Sequence, residues 1–429
     1  MNGGQQTTIH PAQKISGSVR LPGDKSISHR YAMLAGIAEG KTRLENFSAA
    51  ADCASTLECM QALGVAVERD GGTVLIEGRG RKLLAPRKEL NCGNSGSTMR
   101  MLSGILAGQD FESVLVGDES LTRRPMKRVI EPLNLMGAQA VGTGDGRPPL
   151  RVKGGKLRAI RYKPPVPSAQ VKSCVLFAGL LADGETTVEE EIRTRDHGEL
   201  ALRAFGAEVQ RTRTTVSISG GQSLRGIEAY VPGDISSAAF FLCAAALFPD
   251  SNLILDSVLL NPTRAGILDV LTAMGGSVSF LQVEQQHSEL IGTVQFRGGK
   301  LKGAMLSGAQ IAGLIDELPV LAAIGPYTED GIEIRDAREL RVKESDRISA
   351  VAQNLRSMGA EVEEFEDGLR VPGKQQLRGS TIEALGDHRI AMAFAIAALR
   401  ANGPSEIRGA ECVAVSYPNF FMDLTRLVG

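Results

Sequence analysis

Five times along the chain an amphipathic stretch closes on one phrase: an apolar residue, a glycine, then alternating positions. The copies are LGVAV from Leu63, MGAQAV from Met136, FGAEV from Phe205, MGGSV from Met274 and MGAEV from Met358. Glycine there suits the left-handed residue that ends a helix, and the alternation that follows, as in VAVERDGGTVLIEG, predicts a hairpin. A second phrase recurs six times, a polar cluster leading into an apolar helix of small residues. These helices are YAMLAGIA, MLSGILAG, CVLFAGLLA, AAFFLCAAALF, VLAAIGP and MAFAIAALR, with turns at Gly40, Gly108, Gly184, Asp250, Asp330 and Gly403 before the next strand. The period of roughly 70 residues is that of a supersecondary repeat.

Six openings against five closings leave one copy incomplete. The C-terminal YPNFFMDLTRLVG ends before a sixth hairpin, while the N-terminal IHPAQKISGSVRLPG is strand-like with no helix before it. The N-terminal strand is therefore expected to complete the sixth copy. LPGDKSIS (Leu21–Ser28) and VPGDISSA (Val231–Ala238) are near copies that open copies one and four. The chain thus reads as a tandem duplication of three-copy halves, an α/β protein of two domains. One is expected over residues 22–232 and the other over 1–21 plus 233–429.

Length agrees, because single cores stop growing near roughly 250 to 300 residues and this chain has 429. With 48 Lys plus Arg against 49 Asp plus Glu, bulk charge attracts neither nucleic acid nor an anionic membrane, so any anion site is local. The six cysteines are scattered without a Cys-x-x-Cys pair and read as reduced thiols. The N-terminus lacks the apolar core of a signal peptide, and the stretch Ala238–Phe248 is too short to span a bilayer. A cytoplasmic protein is expected.

The clusters before the six apolar helices are GDKSIS, GNSGSTMR, PSAQVKS, GDISSA, IDELP and GDHRIA. Their Ser, Asp and Asn residues suit helix capping. Their cations do not: Lys25, Arg100, Lys172 and Arg389 lie in or near first turns, where the helix dipole disfavours positive charge. An anion shared between side chain and helix end reverses that sign. More cations follow the strands, at Arg123, Arg124, Lys127 and Arg128, at Arg193 and Arg195, and at Lys343 and Arg347. Beside them stand Asp316 with Glu317, Glu344, and Asp387 with His388. A carboxylate among cations holds its proton less tightly, as a base must. No phosphate loop, nucleophile elbow, zinc-protease or dinucleotide motif is present, and the five histidines form no metal cluster in sequence. A scaffold of stacked repeats without chemistry is the alternative that repetition alone allows.

The motifs LPGDKSISHR, GNSGSTMR, GDESLTRRPM, PSAQVKS, DELP, RVKESDR and GDHRIAMAFA, in that order, resemble those of the 5-enolpyruvylshikimate-3-phosphate synthase family over nearly the whole chain. The resemblance implies two inverse αβ domains, each of three βαβαββ units, closing around two small substrates. It implies transfer of the enolpyruvyl group of phosphoenolpyruvate to the 5-hydroxyl of shikimate 3-phosphate, releasing phosphate, in aromatic amino-acid synthesis. It implies no cofactor, no metal, no nucleic-acid or membrane partner, and a monomer. By motif, Lys25, Ser26, Arg30, Ser168, Gln170, Asp316 and Lys343 are implied to contact shikimate 3-phosphate, with Arg195 reaching its phosphate. Lys25, Gly96, Arg124, Gln170, Arg347 and Arg389 are implied to contact phosphoenolpyruvate. Asp316 is implied as the base and Glu344, assisted by Lys25 or His388, as the acid, with Lys25 protonating the departing phosphate.

Two strings qualify the resemblance. CVAVSYP has Val415 where some relatives carry a lysine, so no site is placed there. SAQVK and NPTR (Asn261–Arg264) resemble the class II variants, which tend to tolerate the inhibitor glyphosate, although Gly96 is present. The related UDP-N-acetylglucosamine enolpyruvyl transferases are the nearest rival. Their reactive-cysteine loop is not evident here, and GDKSISHR with GDHRIAM favours the shikimate enzymes.

Overall fold

A computed structural model describes residues 6–429; residues 1–5, within the span expected for the second domain, lie outside the described residues. The chain forms two compact units. One takes Gly23–Val231 with Gln286–Glu289, and the other takes the described residues up to Pro22 with Pro232–Gln285 and Leu290–Gly429.

Each unit repeats one motif three times. The apolar helices are Lys25–Gly36, Gly96–Ala107 and Ala169–Leu181 in the first unit, and Ile235–Ala246, Leu318–Ile324 and His388–Ala398 in the second. They are core helices; all twelve residues of Ile235–Ala246 are buried. Small residues let them approach closely: a Cβ on Gly104 would stand 2.2 Å from the Cys174 carbonyl oxygen. Five of the six are capped by the side chain of Asp24, Ser95, Ser168, Asp234 or Asp387, which accepts from a backbone N–H of the first turn. The fifth has no side-chain cap and begins with a proline in its first turn, which lacks the N–H that a cap would satisfy.

The amphipathic helices Ala51–Ala62, Lys127–Leu135, His197–Ala204, Gly266–Ala273 and Arg347–Ser357 run out at Gly64, Gly137, Gly206, Gly275 and Gly359. All five glycines have φ between 86° and 106°, the left-handed region that L side chains avoid. A hairpin follows each one, so the repeated phrase is read correctly as helix, glycine, hairpin.

Sheet topology repeats as well. In five four-stranded sheets the central strand pairs with a parallel neighbour on one side and with the second hairpin strand on the other. In the sixth sheet, Thr381–Glu383 pairs in parallel with Ser405–Arg408, and Gln6–Ile9 pairs antiparallel with that same strand. The N-terminal strand thus takes the place of the missing hairpin. One exchange goes beyond the sequence reading. Ser16–Arg20, just before the first copy, pairs in parallel with Asn252–Asp256 of the fourth, and Glu228–Tyr230, just before the fourth, pairs with Arg43–Glu45 of the first. Among the described residues no helix is long and apolar enough to cross a membrane.

Candidate functional site

The sequence-predicted residues fall into two clusters, one in each unit. In the Gly23–Val231 unit, side chains stitch together the beginnings of three apolar helices. Arg30 donates through Nε and Nη2 to Ser173 Oγ at 3.2 and 3.0 Å, through Nη1 to the Ser26 carbonyl at 2.8 Å, and through Nη2 to the Ala169 carbonyl at 3.5 Å. Gln170 accepts from Arg100 Nη1 at 2.7 Å and donates to Ser97 Oγ at 2.8 Å. Lys25 Nζ meets Asp52 Oδ2 at 2.9 Å, and the Asp52 carbonyl accepts from Thr98 at 3.5 Å. Lys25, Ser26, Arg30, Gly96, Ser168 and Gln170 therefore belong to one convergence of helix N-termini, where backbone N–H groups and basic side chains favour anions.

Arg124 joins the same cluster. It is buried, with Nη2 on Asn94 Oδ1 at 2.7 Å and Ser120 Oγ at 3.0 Å, and Nη1 on the Asn94 carbonyl at 3.3 Å. A Cβ added to Gly96 would lie 3.3 Å from Arg100 Nη1 and 3.5 Å from Arg124 Nη1, so this glycine keeps a space between two guanidiniums. Other cations of the GDESLTRRPMKR segment are elsewhere: Arg123 pairs with Glu119 on the surface and Lys127 is exposed.

Lys172 corrects an expectation. Its position near a helix start suggests an anion site, yet its side chain is 1% exposed and its Nζ meets Glu190 and Glu199, each at 2.9 Å. It is neutralised by protein carboxylates. Behind the cluster, buried His29 engages Thr56 Oγ1 through Nδ1 at 2.7 Å. Burial, with Lys25 and Arg30 nearby, holds its pKa well below the ordinary value.

In the second unit Asp316 lies just before the Leu318–Ile324 helix. Its Oδ1 is 3.6 Å from Arg347 Nη1 and 3.6 Å from Arg389 Nε, and Arg389 Nη1 donates to its carbonyl at 3.0 Å. Arg347 begins its helix, only 1% exposed. It reaches Asp387 through Nε at 2.8 Å and Nη2 at 3.2 Å, and Glu344 through Nη2 at 2.6 Å. Burial opposes its charge, but the carboxylates of Asp387, Glu344 and Asp316 more than offset that and move its pKa up. Burial also works against the Asp387 carboxylate; Arg347 outweighs it and the pKa moves down, despite Glu344. Lys343 is half-buried beside this group, and desolvation lowers its pKa against the opposing pull of Asp316 and Glu339. His388 is buried at the first turn of its helix.

Asp316, Lys343, Glu344, Arg347 and Arg389 are thus brought together. The partners Asp52, Ser97, Asn94, Ser120 and Ser173 were not singled out from sequence, because Ser, Asn and Asp at helix starts look like caps. Among the described residues no three His, Cys, Asp or Glu side chains group as metal ligands.

Residues 9–424 match the family model described as EPSP synthase (3-phosphoshikimate 1-carboxyvinyltransferase). A 3-phosphoshikimate 1-carboxyvinyltransferase of Koribacter versatilis is 63% identical over 421 residues, 98% of each chain. One from Solibacter usitatus is 52% identical over 98% of this chain and 99% of its own. The solved EPSP synthase of Acinetobacter baumannii superposes with a TM-score of 0.88 at 43% identity, covering 99% of this chain and 98% of that one. The enolpyruvyl transferase NikO of Streptomyces tendae shares the fold, with a TM-score of 0.79 at 21% identity over 99% and 98% of the two chains. Family match, full-length relatives and repeated architecture agree, and the chain belongs to the EPSP synthase (3-phosphoshikimate 1-carboxyvinyltransferase) family.

Proposed function

We propose that the two clusters are the working parts of the family's reaction, with each residue in the role given below. The chain is an enolpyruvyl transferase: it moves the enolpyruvyl group of phosphoenolpyruvate onto the 5-hydroxyl of shikimate 3-phosphate and releases phosphate. One observation carries the assignment. Asp316 Oδ1 stands 3.6 Å from both Arg347 and Arg389, longer than a hydrogen bond, so one carboxylate is set at ion-pair distance between two guanidiniums. In the roles proposed, the carboxylate receives the hydroxyl proton and the two arginines hold the anion.

Lys25, Ser26, Arg30, Ser168, Gln170, Asp316 and Lys343 hold shikimate 3-phosphate, with Arg195 toward its phosphate. Lys25, Gly96, Arg124, Gln170, Arg347 and Arg389 hold phosphoenolpyruvate, the arginines by charge-assisted bonds to carboxylate and phosphate. Asp316 takes the 5-hydroxyl proton as the oxygen bonds to C2. Glu344, with Lys25 or His388 assisting, protonates the methylene carbon. The resulting tetrahedral adduct loses a methyl proton back to carboxylate as its C–O bond to phosphate breaks, and Lys25 protonates the leaving phosphate. The working form proposed is a monomer.

Replacing Asp316 by Asn tests the assignment. The variant is expected to bind both substrates by calorimetry while losing about 10² to 10⁴ in turnover, the usual worth of a general base. Normal turnover would remove Asp316 from the base role.

A further inference from the structure

The Lys172 network has no part in the reaction just described, yet it puts a buried ammonium among carboxylates within the first unit. Lys172 Nζ meets Glu190 Oε2 and Glu199 Oε1 at 2.9 Å each and donates to the Thr194 carbonyl at 3.4 Å. Buried ion groups gain little over apolar packing of the same volume, because desolvation offsets their attraction. What such a network supplies is geometry.

The geometry concerns the segment from Glu190 to Gly198. Glu190 Oε1 accepts from Thr194 N at 3.0 Å and also from the Thr194 hydroxyl. Asp196 pairs with Arg211 at 3.0 Å. A Cβ on Gly198 would stand 2.6 Å from Ser173 Oγ, so the segment lies flat against the Ala169–Leu181 helix. Ser173 is the residue that receives two nitrogens of Arg30, and Ser168 and Gln170 stand one turn earlier on that helix. Arg195 is half-buried, and the residues on both sides of it are pinned.

We infer that Lys172, with Glu190 and Glu199, is a positioning residue that fixes the Arg195 segment against this helix and so sets the preference for the 3-phosphorylated acceptor over the unphosphorylated acid. The inference rests on the reading of Arg195, Arg30, Ser168 and Gln170 as acceptor contacts. The substrate never touches Lys172; its effect passes through Arg195.

The test measures calorimetric Kd values for shikimate 3-phosphate and for shikimate, together with kcat. The proteins are the wild type, Arg195→Gln, the charge-balanced pair Lys172→Met with Glu199→Gln, and all three changes combined. The paired variant removes one positive and one negative group together, and Glu190 keeps its bonds to Thr194. Arg195→Gln is expected to weaken shikimate 3-phosphate about tenfold or more, the worth of a hydrogen bond to a charged group, and to narrow the preference over shikimate. The paired variant is expected to reproduce that narrowing with kcat falling less than Kd rises, and the triple variant to add little further. If Arg195→Gln narrows the preference and the paired variant does not, the inference is overturned while the reading of the site stands. If Arg195→Gln changes neither Kd, the reading of Arg195 fails first. Equal weakening of both ligands in the paired variant marks a purely structural role and also overturns the inference. Should the pair fail to fold, Glu190→Gln, which keeps Lys172 with Glu199 but loosens Thr194, is judged by the same criteria.

Discussion

Arg347 and Asp387 are joined at two points, Nε to Oδ2 at 2.8 Å and Nη2 to Oδ1 at 3.2 Å, and neither side chain is more than 1% exposed. The pair fixes the plane of the guanidinium, and its remaining nitrogen, Nη1, faces Asp316. The same aspartate caps the His388–Ala398 helix by accepting from Arg389 N at 2.9 Å. One carboxylate thereby holds the Arg347 guanidinium and the Arg389 backbone beside the proposed base.

Asp387→Ala is accordingly expected to destabilise the protein by about 3 to 5 kcal/mol, the cost of stranding one member of a buried pair, as read from urea unfolding. The pH sign follows from the lowered pKa of Asp387. Its contribution is fully present above the unfolded value of about 3.9 and is lost as pH falls through the folded value. The variant should therefore lose less stability than the wild type on acidification below about pH 4.

Arg124→Ala is expected to raise the KM for phosphoenolpyruvate by about 10- to 100-fold, with a smaller effect on shikimate 3-phosphate. Asn94 and Ser120 now spend their hydrogen bonds aiming this guanidinium past Gly96. Steady-state kinetics with each substrate varied in turn checks it.

Glu344→Gln should lower kcat by about 10² to 10⁴ while Arg347 keeps its two-point partner in Asp387. The specific readout is slower exchange of solvent deuterium into the methylene group of phosphoenolpyruvate. Unchanged exchange would remove Glu344 from the role of acid.

His29 provides a titration in a different range. Its folded pKa lies well below 6.5 because burial and the charges of Lys25 and Arg30 oppose protonation. The unfolded chain takes up the proton first, so stability is full above about pH 6.5 and falls as pH drops toward the folded value, by up to about 1.4 kcal/mol per pH unit. His29→Asn, which retains a polar group for Thr56, should flatten the slope of unfolding free energy between about pH 6.5 and 5.

The repeat was legible because its marks are local. Gly64, Gly137, Gly206, Gly275 and Gly359 each need a left-handed backbone at a helix end, and each leaves the same phrase behind it. The exchange of Ser16–Arg20 and Glu228–Tyr230 left no such mark, since the parallel partners Ser16 and Asn252 are far apart in sequence and no turn joins them. At the site, first-turn cations led to Lys25 and Arg389, which the fold sets among other candidate residues, and to Lys172, which it does not. The difference lies in Glu190 and Glu199, which only the folded chain brings to its ammonium. Asn94 and Ser173 were hidden for a related reason: a polar residue that aims an arginine looks, in sequence, like one that caps a helix.

The account is tested most directly by phosphate release from phosphoenolpyruvate with each acceptor supplied in turn. Release with shikimate 3-phosphate, none with UDP-N-acetylglucosamine, and its loss in Asp316→Asn are the predicted results. No release with shikimate 3-phosphate, or release driven by the nucleotide sugar, would contradict it.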